Sequence, residues 1–309
     1  MNQCFVETQR SSTFETNKEI AYELNPINFD DLEHLFLHLR TNYKTISKLS
    51  RKYNDIADFF TYEERLNTIG IKGINFYDFY RYKKDNYKLE NIKKYYENQK
   101  KISNVKMYKG IYNLYFGSVT NFSISNVLQV LQKYQPKHVL DPTCGFGNRL
   151  VGACALDVES YIGIDNNENL KIPLNDLKNF LSNHSKTKIQ VLIENCLNIN
   201  YSRYKYDCVF TSLPYYNTEI YGNKKQFNTK QEWNINFYQQ LIKKTYEHLE
   251  HDGYFIINVP EKVYIENFVF LLGECHEKIE LFKRKRNNSY CEYIYVWKKS
   301  IKEAKEVQS

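Results

Sequence analysis

The stretch Val139-Leu140-Asp141-Pro142-Thr143-Cys144-Gly145-Phe146-Gly147-Asn148-Arg149-Leu150 decides how the rest of the chain is read. It runs as a short apolar strand ending in an acid, a turn punctuated by two glycines, and the start of a helix. Gly145 and Gly147 carry no Cβ, so the backbone can turn tightly and a ligand can approach it closely. The N–H groups that open the next helix then face polar or anionic ligand atoms. Taken alone, the two glycines fit an ordinary strand-to-helix turn equally well. Their spacing to later features separates the two readings.

Outward from this stretch, apolar runs and helical periodicities alternate from about residue 110 onward. Strands are predicted at 137–142, 160–165, 188–193, 206–212 and 253–259, and helices at 148–157, 167–183, 233–250 and 261–273. Two adjacent strands, 276–283 and 289–297, close the pattern as an antiparallel hairpin. Such alternation predicts an α/β fold: a doubly wound, mostly parallel seven-stranded Rossmann-like sheet with helices on both faces. A further helix precedes the first strand, capped by Ser123 or Ser125 and stopped by Pro136.

Three features stand at the same sheet edge as the glycine turn. Tyr161-Ile162-Gly163-Ile164-Asp165 is the second strand, and its terminal carboxylate suits two ribose hydroxyls. An N-cap role for Asp165 in the next helix is equally open. Glu194-Asn195-Cys196 ends the third strand, where an adenine edge would lie. Thr211-Ser212-Leu213-Pro214-Tyr215-Tyr216 comes after the fourth strand and is the most informative.

On these residues, the segment from about Phe116 to Lys298 resembles the S-adenosylmethionine-dependent amino-methyltransferases of nucleic acids. Asp141-Pro142-Thr143-Cys144-Gly145-Phe146-Gly147 is similar to their methionine-binding loop, Asp165 to their ribose acid, and Ser212-Leu213-Pro214-Tyr215 to their catalytic tetrapeptide. The resemblance implies a Rossmann-like methyltransferase sheet and S-adenosyl-L-methionine as cofactor. It implies that Asp141, Thr143, Gly145, Gly147, Asp165, Asn195 and Cys196 hold the cofactor, with Asn121 and Phe122 covering its methionine end. The order of motifs resembles the gamma type of DNA methyltransferase, and the compact arrangement resembles stand-alone DNA methylases of phages and large DNA viruses.

The chemistry accounts for the residue types. The lone pair of an exocyclic amino group is delocalised into the base ring, so the nitrogen is a poor nucleophile. Accepting both of its N–H hydrogens draws it toward a tetrahedral, more reactive state. The Ser212 hydroxyl offers one acceptor and the carbonyl of Leu213 the other, with Pro214 holding Leu213 extended. Tyr215 offers a face for a flipped-out base. The family usually has Pro where this chain has Leu213. Leu-Pro variants occur in relatives that methylate guanine N2 in RNA.

The expected function is therefore methylation of adenine N6 or cytosine N4 in DNA. An RNA amino-methyltransferase acting on guanine N2 or adenine N6 is the first alternative, and a nucleic-acid-binding pseudo-methyltransferase subunit the second.

Residues 1–110 are expected to form an N-terminal helical region, 111–300 the methyltransferase domain and 301–309 a polar tail. Asp30 is the expected cap of a helix bearing Leu32, Leu35, Phe36 and Leu39. His34 and His38 stand four apart on that helix with no third ligand near in sequence, so no metal is inferred. The residues around Thr45 to Phe60 only faintly resemble a helix-turn-helix. The net charge of +7 is concentrated between Arg81 and Lys109, where ten basic residues face three acids. That segment reads as a solvated face or as a phosphate-contacting surface for target recognition; a protein partner supplying recognition is the other option. The aromatic run Gly73 to Tyr80 is read as a docking surface for the next domain, with a nucleic-acid surface as the alternative. Tyr216, Lys224, Lys225, Lys283, Arg284, Lys285 and Arg286 are the expected nucleic-acid contacts around the site.

Seven cysteines without a Cys-x-x-Cys pair point to reduced thiols rather than a disulfide frame. No run approaches the roughly 18 apolar residues of a membrane span. The expected location is the cytoplasm, or the nucleus or a virus factory in a eukaryotic host.

Overall fold

The computed structural model describes residues 16–47, 50–70, 72–83, 94, 102–216, 219–220, 227–281 and 292–300. Its centre is one seven-stranded sheet: β1 His138–Asp141, β2 Ser160–Asp165, β3 Lys188–Ile193, β4 Cys208–Ser212, β5 Tyr254–Pro260, β6 Glu277–Glu280 and β7 Glu292–Lys298. The spatial order is β3-β2-β1-β4-β5-β7-β6. The first five strands are parallel, and β7 runs antiparallel between β5 and β6. This is the Rossmann-like methyltransferase sheet with its antiparallel end. The chain order reverses between β1 and β4, so the carboxyl ends of those strands open the crevice where ligands bind in such sheets.

The strands read as apolar runs because both faces are covered. Val139 and Leu140 are both buried, and they feed separate cores on opposite faces. One core takes helices α2 Phe29–Asn42, α3 Asn54–Asn67, α5 Ile124–Tyr134, α6 Asn148–Ala155 and α7 Lys171–His184. The other takes the helical stretch ending in α8 Gln240–Glu247 and the helical segment 261–272 after β5. Both stretches contain a π-helical section, at Asn234–Gln239 and Tyr264–Val269. A third, smaller core joins α1 Asn17–Leu24 and α4 Asn104–Tyr115 to Phe76, Tyr77 and Phe79.

Several local expectations are corrected. Asn28, not Asp30, caps α2: its Oδ1 accepts the Asp31 amide at 2.8 Å, and Asp30 lies inside the first turn beside the positive end of the dipole. Ser123 occupies the cap position of α5, but its hydroxyl turns away to Ser50 and Ser125. The Ile124 amide is taken instead by Asn54 Oδ1 of α3 at 3.0 Å. The aromatic run at 73–80 docks as expected onto the start of the next domain, Phe76 and Phe79 packing on Tyr112 and Phe116 in the third core, and so offers no nucleic-acid surface. Of the basic segment, Lys84, Lys88, Lys93, Lys100 and Lys101 lie outside the described residues. Lys109 is no solvated phosphate contact: it packs over Phe76 and Tyr112 and donates to Ser118 Oγ at 2.8 Å. Burial, reinforced by Arg65, pushes its ammonium pKa down to about 7.

The second half of α3 and the short strand after it tie this N-terminal region to the sheet edge. Ile69–Gly70 forms an antiparallel ladder with Glu219–Ile220, just beyond the Ser212–Tyr215 segment. Helix α3 itself is packed over the carboxyl ends of the strands, with Ile56, Ala57, Thr61 and Leu66 buried. Its inner face is therefore not available to a nucleic-acid groove. No helix among the described residues is long and apolar enough to cross a membrane.

Candidate active site

The glycine turn forms as the sequence predicts, and its two glycines have different jobs. Gly145 has φ +55° and Gly147 has φ +87°, both in the left-handed region. A Cβ on Gly147 would lie 2.5 Å from Leu177 Cδ2, so this residue lets α7 close against the turn. A Cβ on Gly145 would meet nothing within 4 Å and would project into open space, where a ligand can approach. Gly147→Ala is thus expected to cost roughly 1–3 kcal/mol of stability through overpacking added to backbone strain. Gly145→Ala is expected to cost less. Parallel thermal melts of the two variants check the order.

Asp141 is fully buried at the end of β1. Arg149 Nε donates to its Oδ2 at 2.6 Å and Nη2 to its Oδ1 at 3.2 Å, and Tyr161 donates its hydroxyl at 2.6 Å. The same guanidinium donates to the Thr143 carbonyl and stands 5.8 Å from the Phe122 ring centroid. The carboxylate therefore organises the turn through Arg149, and its own oxygens face protein partners. Sequence reading missed Arg149 and Tyr161. The available signal was a lone charge on an otherwise apolar helix start, eight residues after an acid that ends a strand.

Asp165 ends β2 beside the turn. Its Oδ2 accepts the Gly145 amide at 2.9 Å and its Oδ1 the Asn167 amide at 3.0 Å. Burial raises its pKa, and the Asn167 and Gly145 amides oppose the rise. The cap role foreseen as an option for Asp165 falls to Asn167, whose Oδ1 accepts the Asn169 amide. Each Asp165 oxygen keeps lone-pair capacity for a diol. Asn195 caps the short turn after β3 by accepting from the Leu197 amide at 3.0 Å, and Cys196 is buried next to it.

The segment Asn121–Phe122 lies against the turn, because Asn148 Nδ2 donates to the Phe122 carbonyl at 2.7 Å. That bond leaves Asn148 Oδ1 buried without a partner, and Asn121 Nδ2 is likewise buried and unmatched. Buried polar atoms are normally satisfied, so an acceptor and a donor left open here point to a ligand. They match an ammonium and a carboxylate, the two groups at the methionine end of S-adenosylmethionine. The donor set fits the cofactor.

The Ser212-Leu213-Pro214-Tyr215 segment is joined to this turn. Thr211 Oγ1 and Thr143 Oγ1 are 2.6 Å apart, and Thr143 Oγ1 donates to the Ser212 carbonyl at 3.1 Å. Each hydroxyl has one proton, so the chain runs from Thr211 through Thr143 to Ser212. On the other side, β5 pairs Asn258 with Ser212. Ser212 Oγ donates to Asn258 Oδ1 at 3.0 Å, and Asn258 Nδ2 donates to the Tyr293 carbonyl at 3.0 Å. The serine proton is thereby committed, and its lone pairs are left to accept. Leu213 is buried in the second core. Tyr238 fixes the next carbonyl, that of Pro214, at 2.7 Å. Thus a leucine in place of proline anchors the loop by burial.

Tyr215 stands partly exposed after Pro214. Tyr216 donates its hydroxyl to the Asn228 carbonyl at 2.9 Å and lies 6.2 Å from the Trp233 ring, which packs 4.5 Å from Phe237. These rings form an aromatic wall beyond the tetrapeptide. Lys224, Lys225, Lys283, Arg284, Lys285 and Arg286 lie outside the described residues.

Comparison with known proteins places this site in a family. Residues 136–300, more than half of the chain, match the model of a family described as RNA cap guanine-N2 methyltransferase. Among solved structures, an rRNA methylase from Streptococcus thermophilus shares 16% identity, over 59% of this chain and 100% of its own, with a TM-score of 0.41. A putative methyltransferase from Streptococcus mutans in complex with SAH shares 20%, over 55% of this chain and 97% of its own, with a TM-score of 0.38. A putative class I S-adenosylmethionine-dependent methyltransferase from Listeria monocytogenes shares 16%, over 92% of this chain and 87% of its own, with a TM-score of 0.39. No protein with a curated description matches.

Proposed function

The chain belongs to the RNA cap guanine-N2 methyltransferase family, and from that premise we propose that it methylates the exocyclic N2 amino group of guanine in RNA, with the cap guanine as acceptor. The cofactor is S-adenosylmethionine, which supplies an electrophilic methyl group on a sulfonium. The observation that carries the reading is the Thr143–Ser212 link, which joins the glycine turn to a serine whose proton already goes to Asn258.

The remaining chemistry belongs to the protein. Asp165 holds the ribose hydroxyls, and Asn195 and Cys196 border the adenine. Asn121, Phe122, Thr143, Gly145 and Gly147 enclose the methionine end, with Asp141 acting through Arg149. Ser212 Oγ and the Leu213 carbonyl accept the two hydrogens of the amino group. The nitrogen lone pair is then drawn out of the ring and aimed along the line of displacement. Tyr215 and the Tyr216–Trp233 wall stack the purine. A cap guanine is terminal, so little unstacking opposes its entry. After transfer the amino group carries one surplus proton, which passes to solvent. The basic residues between Arg81 and Lys106 are proposed to hold the RNA phosphates, Lys109 being turned inward.

The same acceptor pair suits adenine N6 or cytosine N4, and the motif order, which resembles the gamma type of DNA methyltransferase, is what points to DNA. The family match favours RNA over that reading. The experiment is methyl transfer from labelled S-adenosylmethionine to capped RNA, uncapped RNA and duplex DNA, with nucleoside analysis of each product. N2-methylguanosine formed on capped RNA is the expected product. N6-methyladenine or N4-methylcytosine in DNA would overturn the proposal. Cofactor binding without transfer to any of the three would favour the pseudo-enzyme.

A further inference from the structure

Helix α3 lies outside the residues matched by the family model, yet it touches the cofactor side of the sheet along its length. Near its start, Asn54 Oδ1 accepts the Ile124 amide, just after the Asn121–Phe122 segment. Two turns later Thr61 Oγ1 shares its one proton between the Ala57 carbonyl of its own helix, at 2.9 Å, and the Phe146 carbonyl inside the glycine turn, at 3.1 Å. Next, Glu64 Oε1 accepts from Asn167 Nδ2 at 2.9 Å, beside the ribose acid Asp165.

Asn54, Asp58, Thr61 and Arg65 are spaced four, three and four apart, which sets them on one stripe of the helix. Asn54 and Thr61 are pinned to the two sides of the methionine end. Asp58 lies between them, and the Arg65 guanidinium reaches back to it, Nη2 donating to Asp58 Oδ2. The pair is incompletely matched. Asp58 is 8% exposed, its Oδ1 is buried without a partner, and so is Arg65 Nε. An open carboxylate oxygen and an open guanidinium N–H, both removed from water, are costly unless something charged completes them.

We propose that Asp58 and Arg65 form the outer clamp on the amino-acid end of S-adenosylmethionine, Asp58 Oδ1 accepting from its ammonium and Arg65 Nε donating to its carboxylate. The inference rests on the cofactor and not on the RNA acceptor. It assigns α3 a binding role: cofactor and N-terminal region hold each other. Asn148 Oδ1 and Asn121 Nδ2 offer the same pair of complementary groups from the sheet side. The zwitterionic end of the ligand is thus gripped from two elements far apart in sequence.

The test compares two ligands on the full chain by calorimetry. S-adenosylhomocysteine carries the amino-acid end, and 5′-methylthioadenosine lacks it. In Asp58→Asn and Arg65→Gln, affinity for S-adenosylhomocysteine is expected to fall about 10- to 100-fold, the scale of a lost hydrogen bond to a charged group. Affinity for 5′-methylthioadenosine is expected to stay within about twofold in both variants, by the same scale. Asp58→Asn is nearly isosteric and keeps the test open if Arg65→Gln folds poorly. Equal losses for both ligands would overturn the proposal by showing a purely structural role, and so would no loss for either. Wild-type protein that binds neither ligand would strike the cofactor assignment itself, a different failure.

Discussion

Arg149→Met is expected to destabilise the fold by roughly 3–5 kcal/mol, the scale for removing one partner of a buried ion pair. Asp141 is fully buried and Arg149 is 5% exposed, so water cannot replace the guanidinium. The variant strands a carboxylate at the end of β1 with only the Tyr161 hydroxyl for support. It also frees the Thr143 carbonyl and the Phe122 ring, both held by the same side chain. The double variant Asp141→Leu with Arg149→Met removes the stranded charge. It is expected to recover a large part of the loss, because a buried pair exchanged for apolar residues is often close to neutral. Urea unfolding of the two variants and the wild type measures the difference. A single variant within about 1 kcal/mol of wild type, which is the range of exposed ion pairs, would show that the pair contributes no more than a surface bridge. Cofactor affinity is expected to fall with the single variant even where it folds, since Arg149 is what holds the turn to the strand end.

This pair shows what a sequence reading reaches and what it does not. The sheet was legible because parallel strands covered on both faces appear as unbroken apolar runs, as in Val139–Leu140 and Cys208–Phe210. The glycine turn, Asp165 and Ser212-Leu213-Pro214-Tyr215 were legible because the fold repeats one operation, and each strand delivers its last residues to the same edge. Partners that only packing brings together carry no local mark. Thr61 meets Phe146 across 85 positions, and Asn148 meets Phe122 across 26. Asp141 was visible as an acid at a strand end, but its service to Arg149 and Tyr161 depends on three elements meeting in the core. Charge runs mislead for a related reason. Lys109 counts as a surface cation in any sum over 81–109, yet α4 turns it inward onto Phe76 and Tyr112. The substrate was the least legible feature. An acceptor pair for an amino group serves guanine, adenine and cytosine alike, and within the tetrapeptide only Leu213 leans toward relatives that act on RNA.

Ser212→Ala is expected to lower kcat by about 10²–10³, the usual effect of deleting one preorganised hydrogen-bonding group at the reacting atom. The geometry sets both sign and selectivity. Asn258 Oδ1 takes the serine proton, and Asn258 is itself held by its amide bond to the Tyr293 carbonyl, so the serine oxygen can only accept from a substrate amine. The Ser212 carbonyl, already bonded to Thr143, keeps its place in the variant, so the cofactor turn is undisturbed. Affinity for S-adenosylhomocysteine and KM for capped RNA should therefore stay within about twofold, the pattern of an interaction realised in the transition state. Asn258→Ala isolates the positioning part. The serine hydroxyl can then rotate and donate, and kcat is expected to fall about tenfold, one lost hydrogen bond's worth of alignment. Ser212→Thr retains an acceptor and is expected to recover part of the rate, which a merely structural serine would not require. Single-turnover methylation of capped RNA resolves these differences from product release. A Ser212→Ala enzyme with wild-type single-turnover rate would falsify the acceptor role and move the chemistry away from this loop.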